Sequence, residues 1–380
     1  MSDHANQAVA GDMAAEMDVI IVHCHAAASV REAVAALRLD ASETSIRLNI
    51  ILADNGSSPE ERVLLQSLDI HYLDSGRNAG YAGAVNIAFP VTRSDVVILM
   101  NEDVIVLPGC LRALYTALMS GASVAGPQFY WDRDCTFVLP CTEERTRRNE
   151  RLKVAGKRNL TQLTRARTAW REHARRHWRT TDSLATTALS GALLAFRRDT
   201  WTAIGPFDEG FSLYFEEDDW LIRAARADLL CLYVPSARAI HLHNSNLAHE
   251  PERVQWEAES FRRFGDRYYG ERFMRRLSLA AKRERVVLDW PDLATDRDGA
   301  IGFDISAYDA RPLWIELTPS PLGFPAATTC ISDPRTELWH LPPLRGLEFL
   351  ETFYLQLVDD AGRELCGYRV QRTWPHHRTM

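Results

Sequence analysis

From Asp18 onward, short runs of consecutive apolar residues alternate with segments whose apolar positions recur every three to four residues. This is the pattern of a mostly parallel sheet covered by helices. Val19-Ile20-Ile21-Val22 predicts a buried strand, and Ser29 is placed to cap a helix carrying Val30, Val34, Ala35 and Leu37 on one face. Leu48 to Leu52 predicts the next strand, ended by the turn-forming Asp54-Asn55-Gly56-Ser57-Ser58-Pro59, which opens a helix over Glu60 to Leu68. Ile70 to Leu73 and Asp95 to Met100 predict the third and fourth strands, with a helix starting near Gly80 between them. Three polar clusters, Asp54–Ser57, Arg77–Asn86 and Asn101–Asp103, therefore follow carboxyl ends of strands. In open α/β sheets that is where ligands bind.

The pattern changes twice. About residues 143–180 are dense in Arg and Lys and poor in large apolar residues, which reads as a basic helical insertion; αβ patterning resumes at Leu189. A charged amphipathic stretch over 251–285 predicts a helical flank. From Val286 to 380, short alternating runs broken by Pro, Gly and Asp, with a turn at Asp359-Asp360-Ala361-Gly362, predict a small all-β, sandwich-like domain. Residues 1–17 read as a frayed tail ahead of an α/β domain over 18–250.

Bulk properties narrow the field modestly. The 380 residues suit two domains, and the formal charge of −7 argues against nucleic acid as a partner. Seven scattered cysteines without a CxxC pair fit a reducing cytoplasm. No run of ~18 apolar residues predicts a membrane span, so membrane contact is expected to be peripheral, at the inner face, through the basic insertion and anionic lipid.

Five ordered motifs carry a family resemblance. They are Asp54-Asn55-Gly56-Ser57; Arg77-Asn78-Ala79-Gly80-Tyr81-Ala82-Gly83-Ala84-Val85-Asn86; Asn101-Glu102-Asp103; Gly205-Pro206-Phe207-Asp208-Glu209 with Tyr214-Phe215-Glu216-Glu217-Asp218-Asp219-Trp220 and Arg223; and Ala239-Ile240-His241-Leu242-His243. Together they resemble glycosyltransferase family 2, in the branch of rhamnosyltransferases and galactofuranosyltransferases. The resemblance implies the GT-A fold, a Rossmann-like, mostly parallel sheet. It also implies an inverting transfer from a UDP- or dTDP-sugar to a glycan or lipid-linked glycan acceptor in cell-surface polysaccharide synthesis.

Residue by residue, the resemblance assigns the nucleotide-sugar to Asp54, Asn55, Arg77, Asn78, Gly80, Gly83, Asn86, Asn101 and Glu102, with Asp54 at the base. Mg2+ or Mn2+ falls to Asp103 and His241, with His243 as the fallback, and the acceptor to Glu216, Asp219 and Trp220. Glu217 or Asp218 is the general base, since aligning Asp219 and Arg223 with the family puts Glu where Asp is usual. His23-Cys24-His25 departs from the family after the first strand.

Plainer alternatives exist for each motif: an Asx turn at Asp54, a glycine-rich connection at 77–86, a turn at 101–103, an acidic helix start at 216–219, polar surface at His241. A dinucleotide oxidoreductase is disfavoured because no GxGxxG follows the first strand. A nucleotidyltransferase leaves the cluster at 216–219 unexplained. A non-catalytic carbohydrate-binding or scaffold protein would work through Trp290, Trp314, Trp339 and Trp374, which core packing explains as well.

Overall fold

The computed structural model describes residues 15–243, 253–283, 286–293, 301–308 and 311–372. Residues 1–14 of the expected tail and Trp374 lie outside these, whereas Glu16 and Met17, expected in the tail, already belong to the first strand. A sheet of order β3-β2-β1-β4-β8-β6-β9-β5 forms the centre. Its first half comprises β1 (Glu16–His23), β2 (Arg47–Asp54), β3 (His71–Asp74) and β4 (Val96–Asn101), all parallel. Its second half mixes directions: β8 (Leu193–Arg197) runs antiparallel to β4 and to β6 (Val124–Tyr130), while β9 (Cys231–His241) is parallel to β6 and antiparallel to β5 (Val104–Val106) and β7 (Leu184–Ala185). The mostly parallel α/β architecture is thus present.

Helices cover both faces because the central strands are apolar on both. One face packs α1 (Ala27–Thr44) and α4 (Cys110–Met119) over Val19, Ile21, Leu52 and Ile98. The other packs α3 (Gly80–Ala88), α7 (Arg198–Ile204) and α8 (Glu216–Arg226) over Ile20, Ile51, Leu99 and Phe196. Helix α2 (Pro59–Gln66) starts at a reciprocal cap between Ser58 and Glu61. The expected Ser29 cap is not used: α1 already begins at Ala27, with no side-chain cap at Ala26.

The basic insertion forms α5 (Arg147–Gly156) and α6 (Leu160–Trp178), and the flank forms α9 (Arg253–Tyr268) and α10 (Glu271–Ala281). The C-terminal region holds a four-stranded antiparallel sheet, β12 (Ala327–Ile331), β11 (Leu313–Thr318), β14 (Thr352–Val358) and β15 (Glu364–Gln371) in that order. A two-stranded ribbon of β10 (Gly302–Asp304) and β13 (Leu338–His340) accompanies it. Gly362, at φ 88°, closes the expected turn between β14 and β15 with a 3.0 Å bond to Asp359 O. This core also takes in Trp131 and Phe137, which follow β6, so residues distant in sequence complete it.

Helix α6 narrows one expectation. Three of its arginines face the C-terminal sheet: Arg171 donates to Glu316 at 2.8–3.0 Å and to Gln356 at 3.0 Å, Arg167 bonds Glu364 at 2.8 Å, and Arg175 bonds Asp360 O at 2.8 Å. Trp178 stacks on Trp314 at 6.2 Å. These three cations of α6 dock one part of the protein onto another, which leaves Arg165, Arg176 and the remainder of the insertion for any outside partner. Trp290, Trp314 and Trp339 pack against Tyr354, Trp178 and Phe137 respectively.

Candidate active site

The parallel register aligns the ends of three strands: His23 lies beside Asp54, and Val22 beside Asn101. Val104 pairs with His241, so Asp103 and the end of β9 meet although 138 residues apart. Asp103 Oδ1 and His241 Nε2 are 3.5 Å apart, and the His243 ring lies 3.8 Å from that of His241. The surrounding protein and the neighbouring His241 hold His243 below the usual imidazole range.

Asn101, Glu102, Asp103, His241, Glu216 and Glu217 line one cavity of about 370 Å3. Asn55, Asn78 and Gly80 line it too, from the other side. The acidic start of α8 reaches it because Tyr214 and Phe215 both take left-handed backbone, at φ 61° and 71°, immediately before the helix. That conformation is costly for residues with a Cβ. Trp220, fully buried with its Nε1 bonded to Gly205 O at 3.0 Å, anchors the helix below.

The four carboxylates of this turn have separate fates. Asp219 accepts from Arg223 Nε at 2.9 Å and from Tyr268 Oη at 2.6 Å, and is fully buried. Asp218 accepts from Arg145 Nε at 2.7 Å. Glu216 Oε2 and Glu217 Oε2 are buried without a partner among the described residues. Burial and the adjacent Asp218 push Glu217 up to about 7, while burial and the charge of Glu217 raise Glu216 well above the carboxylate range. Glu217 is thereby a base poised near neutrality, beside a Glu216 whose carboxyl the same burial and the charge of Glu217 raise.

Asp219 and Trp220, expected at the acceptor, have their polar atoms engaged by Arg223, Tyr268 and Gly205 O. Asp54, expected at the nucleotide base, has partners within its own turn. It is fully buried, and its Oδ1 accepts from Gly56 N and Ser57 N at 3.2 and 2.9 Å while Oδ2 accepts from Tyr72 Oη. Its carboxylate fixes the turn rather than facing the cavity.

Asn86 likewise bonds Phe207 O at 3.0 Å and Glu209 at 2.9 Å, holding α3 to the 205–209 loop. Gly83 is packed within that helix, where a Cβ would fall 2.9 Å from Ala79 Cβ. Asn55 and Asn78 bond each other at 3.0 Å and satisfy Ala79 N and Gly80 N, shaping the start of α3. Arg77 is exposed and has no partner among the described residues.

Sequence reasoning missed three contributors. Glu102 is held by His23 Nδ1 and by Cys24 N at 3.0 Å, so the divergent 23–25 segment orients a cavity carboxylate. Gly191 lies against Glu217, and Tyr81 Oη donates to Gly191 O at 3.1 Å. Arg145, from the edge of the insertion, selects Asp218. Only the unusual His23-Cys24-His25 carried any sequence signal.

The described residues contain no cluster of three or more His, Cys, Asp or Glu side chains able to cage a metal. Asp103 and His241 supply one oxygen and one nitrogen donor. That set fits a hard divalent cation completing its shell with phosphate oxygens and water, as Mg2+ and Mn2+ do.

The profile of the family described as glycosyl transferase family 2 matches residues 18–174. This segment belongs to glycosyl transferase family 2. The chain is 28% identical over 219 residues to an N-acetylglucosaminyl-diphospho-decaprenol L-rhamnosyltransferase of Mycobacterium tuberculosis, covering 54% of this chain and 69% of that protein. It is 25% identical over 204 residues to the low-salt glycan biosynthesis hexosyltransferase Agl10 of Haloferax volcanii, covering 50% and 58%. Among solved structures, the mannosyltransferase PcManGT of Pyrobaculum calidifontis, in complex with GDP-Man and Mn2+, aligns with a TM-score of 0.44 at 13% identity, over 70% of this chain and 68% of that one. The protein is a glycosyltransferase. No helix among the described residues is long and apolar enough to cross a membrane.

Proposed function

We propose that this glycosyltransferase moves a sugar from a nucleotide-diphospho-sugar to a hydroxyl of a lipid-linked or free glycan with inversion at the anomeric carbon, assisted by a divalent cation. One observation carries the reading: Glu217, with an unpartnered Oε2, shares a cavity with Asp103 and His241. The L-rhamnosyltransferase relative, whose name specifies a diphospho-decaprenol acceptor, favours a deoxyhexose or hexose donor and a lipid-linked acceptor.

In this reading Asn55, Asn78 and Gly80 present the start of α3 to the nucleotide diphosphate, with Arg77 free to add charge. Glu217 takes the proton of the acceptor hydroxyl as its oxygen bonds the anomeric carbon, from the side opposite the breaking bond to the diphosphate. Asp103 and His241 would hold the cation, which offsets the charge gathering on the leaving diphosphate. Glu216, whose carboxyl burial raises, lines the same cavity with an unpartnered Oε2.

The test is a panel of UDP-, dTDP- and GDP-sugars, scored by thermal stabilisation with Mn2+ or with chelator, followed by anomeric analysis of the product. The reading expects one nucleotide class to stabilise the protein only with the metal, and a product of opposite configuration to the donor. Retention of configuration, or stabilisation indifferent to chelator, contradicts it.

A further inference from the structure

Residues 147–158 and 271–283, which contain α5 and α10, carry eleven Lys and Arg side chains against two carboxylates, Glu150 and Glu271, in a chain of formal charge −7. The contrast with α6 is direct. There Arg167, Arg171 and Arg179 each meet a carboxylate, whereas of these eleven only Lys153 does so among the described residues.

Between the two helices lies a groove of about 700 Å3 with Arg147, Arg151, Arg158, Arg272 and Arg276 along it and Phe273 and Leu277 at its base. The Arg151 guanidinium sits 5.0 Å from the centre of the Phe273 ring. On α10 the exposed positions Arg272, Arg275, Arg276 and Leu279 fall on one face by their three- and four-residue spacing, and Leu279 is 60% exposed. Leu160, just beyond α5, is equally exposed. A solvated helix face does not need cations without carboxylate partners along an apolar groove, with exposed leucines on or next to the same two helices.

We propose that the α5–α10 face docks on the surface of an anionic phospholipid bilayer, the arginines meeting phosphate headgroups and Leu279 and Leu160 entering the interface. Clustered cations mixed with exposed apolar side chains suit a bilayer, where both are satisfied at once. A polyanion in water would leave the leucines unburied. The face lies outside the catalytic cavity, and the proposal stands independently of the catalytic reading.

The experiment is flotation of the full chain with phosphatidylcholine vesicles, alone or with about one third phosphatidylglycerol. The wild type is expected to bind only the anionic vesicles, and salt to release it. With each cation worth roughly fivefold in binding, the double variant Arg272→Gln/Arg276→Gln should bind roughly 20-fold less. The matched control Arg31→Gln/Arg47→Gln, at exposed positions elsewhere, should remain within about twofold. Both variants should keep the wild-type melting temperature and activity on a water-soluble acceptor. Absence of vesicle binding by the wild type, or equal losses in both variants, overturns the proposal. So does tighter binding of single-stranded RNA, or saturation of the groove by inorganic phosphate without vesicle binding.

Discussion

Arg145 donates from Nε to Asp218 Oδ2 over 2.7 Å, and its guanidinium lies 4.6 Å from the centre of the Phe215 ring. This pair separates two neighbouring carboxylates that sequence alone leaves equivalent: Asp218 is committed to a cation, and Glu217 is free. The Asp218→Asn substitution should therefore act on the fold, costing ~1–3 kcal/mol because a largely buried guanidinium loses its charged partner. Urea unfolding checks this. Unchanged stability together with lost turnover would move the base to Asp218.

Gly191 leaves the room that Glu217 occupies. A Cβ there would fall 3.0 Å from Glu217 Cγ and 3.2 Å from Glu217 Cβ, so Gly191→Ala must push the carboxylate aside. A shift of ~1 Å in a reacting group can cost ~100-fold. The expected outcome is a large fall in kcat with the melting temperature and donor affinity nearly unchanged, read by steady-state kinetics and calorimetry.

Holding Glu217 near 7 has a consequence for stability. A carboxyl whose folded value is raised favours the fold while protonated, and that advantage is lost as pH rises through the folded value. At pH 8 the ionised, buried Glu217 burdens the fold, and Glu217→Gln should raise stability by ~1–3 kcal/mol. By pH 5, where Glu217 is neutral in the folded protein, the difference should largely vanish. Melting temperatures at the two pH values decide it, and an equal difference at both would contradict the burial argument.

Arg171 and Glu316 join α6 to the C-terminal sheet at 7% and 0% side-chain exposure. Burial raises Glu316 despite Arg171, so the pair's net contribution is small, yet removing one partner strands a charge. Arg171→Ala is expected to cost ~3–5 kcal/mol. Limited proteolysis should then cut near the C-terminal sheet before the α/β part. Wild-type resistance would show that the aromatic contacts, Trp178 on Trp314 among them, suffice.

The α/β sheet was legible because its strands are buried on both faces and read as unbroken apolar runs, from Val19 to Val22 and from Val96 to Met100. The cavity was legible as a set of strand ends, since register brings His23, Asp54 and Asn101 to one edge. Individual side chains were less so. Asp54 and Asp219 sit in the expected motifs, but backbone amides and Arg223 engage their carboxylates. The orientation of a side chain within its turn is not encoded by motif spacing. Nor could a single sequence pair Arg171 with Glu316, 145 positions away, so α6 read as a surface for something outside the protein. The family match itself ends at residue 174, before α8.

The most direct measurement is the turnover number of Glu217→Gln, beside its affinity for donor and Mn2+, on a protein of confirmed fold. The account predicts a fall in kcat of ~10²–10⁴-fold with donor binding unchanged, and a wild-type rate that rises with pH through about 7. Turnover by Glu217→Gln within a few-fold of wild type would contradict it.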